Sequence, residues 1–333
     1  MNSSKINRTK KEAVMISDVS QVKKLAVVGA GLMGHGIAQA YAQEGYPVML
    51  TDSVPAARAS AKGRMKSNLE TLARGGIFPA AEIEKILDRV TIVDSLKETV
   101  KDADFVTEVV IEDLDLKKKL FKEMEDYCSP DTILASNTSS FPMTDISSLM
   151  RKPERAIVTH WMNPPPLVPL VEVVPGKKTA PETVKVAMDL LRKVKKVPVL
   201  LKKEIIGFII NRVQVAMNRE VYHLLEQGVA SAEDIDLAIV TSIGFRLATQ
   251  GPLQVRDLAG LEVTLKVDEV LLPEINSSTK PNRLLKEMVA RGEVGAKSGK
   301  GFFTYTPESL AKIIKERDEQ FIQRLKMQYL KKA

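Results

Sequence analysis

An α/β N-terminal domain built on a parallel sheet, followed by an all-α C-terminal domain, is the fold class that three observations predict. Short apolar runs alternate with helical periodicities from Lys23 to about Leu201, the pattern of strands joined by crossover helices. Gly29-x-Gly31-x-x-Gly34 stands where the first of these runs turns into a helix. Beyond Glu204 the apolar positions recur at helical spacing and convincing strands are absent. A chain of 333 residues exceeds what one core comfortably serves, so two domains are expected, at 22–203 and 204–333, with 1–21 as a flexible tail.

The elements follow in order. Leu25 to Val28 is an apolar, branched run that reads as a strand, and Leu32, Ile37, Ala38 and Tyr41 then recur at helical spacing. Between them Gly29 supplies a tight bend, Gly31 lets a diphosphate approach the backbone, and Gly34 lets helix and strand pack closely. With Leu32 and Met33 they form a turn whose free N–H groups and positive helix end favour an anion. A second strand, Pro47 to Thr51, ends at Asp52, where an acid hydrogen-bonds the adenosine ribose of a dinucleotide. A carboxylate there repels a 2′-phosphate and no arginine follows before Arg58, so this Rossmann-type pattern selects NAD over NADP. The plainer alternative is a tight turn that holds no cofactor.

Ala56 to Arg74 and GGIFPAAEIEKIL add a helical pair ahead of strands near 90–93, 104–109, 132–135, 156–161, 168–174 and 197–201. After Glu204, GFIINRVQVAMNREVYHLLEQG, SAEDIDLAIVTSIG and NRLLKEMVARG are helices; Ser231 reads as a start, Gly228 and Gly244 as ends.

Composition narrows the partners. The net charge of +7 invites a polyanion, but the basic residues are dispersed among acids and aromatics are 5%, which argues against nucleic acid and for a small polyanion such as NAD or a nucleotide-tailed substrate. A basic, solvated surface is the competing account of the charge. No apolar run approaches the roughly 20 residues that cross a bilayer, and the first 21 residues lack the apolar core of a secretory signal. No membrane partner is expected. Cys128 is the single cysteine, which excludes internal disulfides and a cysteine metal cage and fits a reducing, cytoplasmic setting. No histidine or carboxylate pair at helical spacing points to a metal. Gly295-x-x-x-Gly299-Lys300-Gly301 is one residue short of a phosphate loop and lacks its Ser or Thr.

An enzyme that oxidises an alcohol with a nicotinamide cofactor needs a base that works near neutrality, and the chain has three histidines. His35 lies in the glycine turn and reads as a helix-start residue. His223 sits inside an amphipathic helix, as a surface or packed imidazole would. His160 ends the apolar run AIVTH and is followed by Trp161-Met162-Asn163 and three prolines, so the chain stops pairing and opens into a loop where α/β folds hold ligands. Glu172, the one charged residue of PLVEVV, would be costly unpaired among Leu170, Val171, Val173 and Val174, and a histidine would relieve that cost. The alternative is a solvent-facing acid on an edge strand. Ser136 to Ser140 and Asn211 place hydroxyls and an amide where they could complete a site, although such clusters are also common turns and caps.

Taken together, GAGLMGHGIAQ, SNTSS, THWMNPPPLVPLVEVV, GFIINR, GPLQVRDLAGLEV and GAKSGKGFFTY resemble the L-3-hydroxyacyl-CoA dehydrogenase family over nearly everything after residue 22. The resemblance implies a Rossmann-type domain followed by a helical dimerisation domain, and hence a homodimer. It implies that His160 is the general base and Glu172 its orienting partner, with Ser139 and Asn211 around the substrate oxygen. Asp52, Glu112, Lys117, Ser139, Asn163 and Lys297 fall where the family contacts NAD. Ser67 and Arg74 fall where it contacts the nucleotide of coenzyme A, with Arg74 near an expected lysine. The reaction implied is reversible oxidation of an L-3-hydroxyacyl-CoA to the 3-oxoacyl-CoA. NPPPLVPLVEVVP and KKEIIGFIINRVQ are also similar to gulonate and carnitine dehydrogenases, which leaves a small free hydroxy acid as the alternative substrate. A non-catalytic, crystallin-like relative is the alternative of another class.

Overall fold

The computed structural model describes residues 16–327 and divides them into two compact units: one runs to Phe208 and resumes at Glu316, the other is Ile209–Lys315. The first unit carries eight strands, β1 Leu25–Val28, β2 Val48–Thr51, β3 Val90–Ile92, β4 Phe105–Glu108, β5 Ile133–Ser136, β6 Ala156–Trp161, β7 Leu170–Pro175 and β8 Val197–Leu200. They form one sheet in the order β3-β2-β1-β4-β5-β6-β7-β8. The helices of this unit are α1 Gly34–Gln43, α2 Pro55–Arg74, α3 Ile83–Asp88, α4 Leu96–Val100, α5 Leu114–Tyr127, α6 Met143–Ile146 and α7 Pro181–Lys193.

Strand periodicity sorts the core into two layers. Leu25 and Val27 of β1 pack with Ile37 and Tyr41 of α1, Met65 and Leu69 of α2 and Leu190 of α7. Ala26 and Val28 face the other way, toward Val100 of α4, Phe121 and Met124 of α5 and Ile146 of α6. Both faces are covered, which is why the strands read as continuous apolar runs. The chain winds outward from β1 to β3, then crosses back to place β4 on the other side of β1. The strand order therefore reverses between β1 and β4, and ligands bind beyond the carboxyl ends of strands at such a point.

One pairing departs from an all-parallel sheet: β6 and β7 are antiparallel, with His160 opposite Glu172. The eight residues 162–169 between them are too few for a crossover, which takes a dozen or more. Pairing of β8 on the far side of β7 removes the edge-strand alternative for Glu172.

The second unit is helical: α8 Ile210–Glu226, α9 Ala232–Ile239, the single turn α10 Phe245–Leu247, α11 Pro252–Ala259, α12 Leu261–Leu271, α13 Arg283–Ala290, and the start of α14 Pro307–Leu325. Ser231 caps α9 by accepting from Asp234 N, and Gly228 follows α8 with a φ of +67°. Gly244 does not end a helix. It has a φ of −59° and lies in a π-helical turn that leads straight into α10.

Two boundaries differ from those expected. Residues 316–327 belong to the first unit rather than to the helical one, because Ile322 is buried with Leu72 and Leu167. Residues 1–15 of the expected tail lie outside the described residues. Residues 16–21 are ordered by a buried Ile16 and a turn closed reciprocally by Asp18 and Gln21.

Candidate active site

Backbone geometry explains the glycine turn. Gly29 has a φ of +111°, and a Cβ there would stand 2.5 Å from Val109 O. At Gly34 a Cβ would meet Gly29 O at 1.8 Å, so α1 can leave β1 this closely only without a side chain. Nothing lies within 4 Å of a Cβ at Gly31, which leaves an open cradle before the α1 N-terminus. Asp52, at the end of β2, accepts from Ala30 N (2.6 Å) and Val54 N (2.8 Å), and a carboxylate has further lone pairs to offer a ribose hydroxyl. The turn is stiffened from behind: Arg64 donates to Ala30 O (2.6 Å) and Gly31 O (3.2 Å), and His35 Nδ1 donates to Gly31 O (2.7 Å). Burial and the nearby Arg64 guanidinium hold the His35 pKa below the usual histidine range, in keeping with a structural imidazole. These residues fit a dinucleotide.

A buried carboxylate organises the next two strand ends. Glu108, the last residue of β4, accepts from Lys117 Nζ (2.6 Å), Val110 N (2.7 Å) and Ser136 Oγ (2.6 Å). Lys117 is itself 1% exposed and faces Glu112 at 3.5 Å. Glu112 Oε1 then gathers the turn after β5, accepting from Thr138 Oγ1 (2.6 Å), Ser139 N (3.0 Å) and Ser140 N (3.1 Å). Glu112, Lys117 and Ser139 are thus brought together, with Lys117 holding Glu112 from beneath. Asn137 of the same turn accepts from Trp161 N (2.8 Å), which ties the end of β5 to the end of β6.

His160 points toward the α4–α6 side of the sheet. Its Nδ1 lies 2.8 Å from Glu172 Oε2, with 6% of His160 and 1% of Glu172 exposed. A carboxylate only accepts, so Nδ1 carries a proton, and in the neutral ring the lone pair is then on Nε2. Phe208 packs on the imidazole with ring centres 5.5 Å apart. Its φ of +51° follows Gly207 at +77°, so the GF pair turns the chain back over the histidine. On the opposite face Trp161 meets Tyr41 edge-on at 5.5 Å, and Tyr41 Oη bonds Thr107 Oγ1 at 3.0 Å.

Asn163 lies in the loop that follows β6, and Ser67 and Arg74 are exposed two turns apart on α2, where Arg74 reaches Thr71 Oγ1 (3.0 Å). Asn211 on α8 and Lys297 in the turn Ala296–Ser298 belong to the second unit. His223 is on α8 and does not join His160 in the first unit. Among the described residues no group of three His, Cys, Asp or Glu side chains could hold a metal.

Three residues escaped the sequence reading: Glu108, Phe208 and Lys196. Lys196 is 8% exposed, donates to Pro165 O (2.5 Å) and Val168 O (3.1 Å), and stands 5.5 Å from the centre of the Trp161 ring. Burial brings its pKa down to about 7, with Glu44 pulling the other way. An unfolded lysine keeps its proton to about 10.4. Between those values the unfolded state binds the extra proton, so stability rises with pH from about 7 to 10. Thermal midpoints across that range should carry this upward component in the wild type and lack it in Lys196→Met; parallel curves would reject the assignment.

A glycine turn with open space before a helix N-terminus, an acid at the end of the neighbouring strand and a buried histidine–carboxylate pair on the same edge of one sheet are the arrangement of a nicotinamide-dependent dehydrogenase. The model of the 3-hydroxyacyl-CoA dehydrogenase NAD binding domain matches residues 24–205, and that of the 3-hydroxyacyl-CoA dehydrogenase C-terminal domain matches 207–305. The chain belongs to the 3-hydroxyacyl-CoA dehydrogenase family, and its cofactor is NAD. It is 35% identical to 5-formyl-3-hydroxy-2-methylpyridine 4-carboxylate 5-dehydrogenase of Mesorhizobium japonicum, over 90% of this chain and 96% of that protein. It is 37% identical to a probable 3-hydroxybutyryl-CoA dehydrogenase of Bacillus subtilis (86% and 98%) and 38% identical to L-carnitine dehydrogenase of Streptomyces coelicolor (72% and 74%). A crystal structure of the pyridine carboxylate dehydrogenase, described as an NAD+-dependent dismutase, superposes with a TM-score of 0.85 at 34% identity, covering 91% of this chain and 97% of that one. Among the described residues, no helix is long and apolar enough to cross a membrane.

Proposed function

We propose that this protein interconverts an L-3-hydroxyacyl-CoA and its 3-oxoacyl-CoA, with His160 as general base. The observation that carries the reading is the 2.8 Å bond between His160 Nδ1 and Glu172 Oε2 at the carboxyl end of β6. With Nδ1 committed to the carboxylate, Nε2 takes the hydroxyl proton, and Glu172 stabilises the imidazolium that results. NAD, when bound, supplies the hydride acceptor. Ser139 and Asn211 steady the substrate oxygen, and in the reverse direction the imidazolium returns the proton to it. Gly29, Gly31, Leu32, Met33, Gly34, Asp52, Glu112, Lys117, Asn163 and Lys297 form or support the cofactor site. Ser67 and Arg74 receive the coenzyme A nucleotide, where a guanidinium is a good phosphate partner.

The second reading keeps the same acid–base pair and replaces the thioester with a small free acid. Likeness to the pyridine carboxylate and carnitine dehydrogenases favours it. A spectrophotometric panel separates the two: acetoacetyl-CoA should oxidise NADH, whereas turnover confined to free hydroxy or pyridine carboxylates would replace the thioester. Loss of catalysis, as in a crystallin-like relative, is opposed by the intact pair.

The same reading makes the protein a cytoplasmic homodimer. The second unit leaves Phe245, Leu253, Leu258 and Val270 each more than two-thirds exposed, apolar surface of the kind a second copy covers. Sedimentation at micromolar concentration should give a dimer, and a monomer alone would overturn this part.

A further inference from the structure

Residues 162–169 must bring His160 and Glu172 face to face with little backbone bonding of their own. Half of them are proline, at 164, 165, 166 and 169, and proline has no N–H to give. Pro164 O accepts from Leu167 N and Val168 N, each at 3.0 Å. The carbonyls of Pro165 and Val168 are taken from outside by Lys196 Nζ, at 2.5 and 3.1 Å, while the neighbouring Val197 N bonds Pro169 O at 2.8 Å. On the other side the loop lies against α1 so closely that a Cβ at Gly36 would stand 3.1 Å from Pro166 Cδ and 3.2 Å from Pro165 Cδ.

We propose that Lys196 is a positioning residue for the His160–Glu172 pair: its amine draws Pro165 and Val168 inward, seats loop 162–169 on α1, and braces Trp161, the residue next to His160. A buried amine is an expensive way to fill space, since an apolar side chain of that length carries no desolvation cost. The bonds account for it. They join two carbonyls of a proline-rich loop that has few donors, and they hold from the opposite face of the sheet the strand end on which the imidazole stands. The clamp works in either protonation state, because a neutral amine keeps two N–H groups for two carbonyls. A histidine that must align with an acceptor on one side and a hydroxyl on the other loses rate steeply when its backbone drifts, and displacement by about an ångström can cost on the order of a hundredfold.

The inference rests on His160 being the base, and the experiment keeps the two apart. Lys196→Met keeps an unbranched side chain of similar length and removes the donors; Lys196→Gln, whose amide stops short of the carbonyls, serves if the methionine variant does not fold. Val194→Ala opens a cavity at the end of α7, two residues before Lys196, while keeping both Lys196 bonds to the loop, and is the stability control, since Val194 is buried and carries no site role. The expected result is a kcat lowered on the order of tenfold in the Lys196 variant, with a displaced pH profile and NADH affinity within about twofold of wild type. Val194→Ala should keep the wild-type kcat and profile at a comparable thermal midpoint. A Lys196 variant with wild-type kcat and profile, or a Val194→Ala protein with the same loss, overturns the clamp while an inactive His160→Ala leaves the base in place. Full activity in His160→Ala removes both.

Discussion

Replacing His160 by alanine should lower kcat by between about 10² and 10⁴, the range that a positioned acid or base contributes, and leave NADH affinity within about twofold. The side chain is almost wholly buried, yet its removal does not touch the glycine turn, Asp52 or the Glu108–Lys117–Glu112 network. Binding and chemistry should therefore separate. What the variant does lose is the bond between His160 and Glu172, and removing one donor from a buried carboxylate costs stability. Some loss of stability accompanies the loss of rate, so NADH fluorescence titration and thermal unfolding must be read beside turnover. Glu172→Gln gives the complementary result: the imidazole stays, but its orienting acceptor and the negative charge beside the imidazolium are gone. Its rate should fall on the order of 10²-fold, and the acid limb of its pH–rate profile should move to lower pH, because removing an anion disfavours the protonated ring. Unchanged turnover in His160→Ala, or a wild-type profile in Glu172→Gln, would reject the pair as the proton-handling device.

What could be read from residues alone follows the range over which each feature is determined. The turn from Gly29 to Gly34 is local, and its flanking strand and helix have different periods, so its place and shape were legible. Glu172 was legible for an energetic reason: a single acid in an apolar strand must have a partner, and His160 proved to stand opposite it. The antiparallel turn of β7 was hidden because a strand buried on both faces looks the same in either direction. Glu108 and Lys196 were hidden differently. Glu108 stands inside the run Phe105 to Ile111 and Lys196 just ahead of Val197, and the role of each comes from segments brought alongside by sheet register, β5 with α5 for Glu108 and loop 162–169 for Lys196. Phe208 carried a weak signal in the preceding Gly207. A positive φ at a bulky residue is not something that residue types announce. The final helix misled because its period is helical whichever unit it joins. Only the burial of Ile322 against Leu72 and Leu167 decides that.

The two glycines of the cradle should fail in opposite ways, and the contrast tests the cofactor site more sharply than either substitution alone. At Gly34 a methyl group would sit 1.8 Å from Gly29 O, a backbone atom fixed by the bond from Gly29 N to Thr51 O (2.8 Å). Neither α1 nor β1 can yield without disturbing the packing of Ile37 and Tyr41 on Leu25 and Val27. Gly34→Ala should therefore destabilise the fold by about 3 kcal/mol or more, at the upper end of what overpacking a core costs. At Gly31 the same methyl group meets nothing within 4 Å and the backbone has no positive φ, so Gly31→Ala should keep its stability within about 1 kcal/mol. The space it enters, however, is the one a diphosphate needs in order to reach the free N–H groups of α1. Its dissociation constant for NADH should rise on the order of tenfold or more, since the lost contact is with a charged group and such hydrogen bonds are worth about 1.5–3 kcal/mol. Denaturant unfolding and fluorescence titration on both variants measure the two quantities independently. A stable Gly34→Ala protein would mean that β1 and α1 are not packed as closely as described; a Gly31→Ala protein with wild-type affinity would mean that the dinucleotide does not lie over this turn.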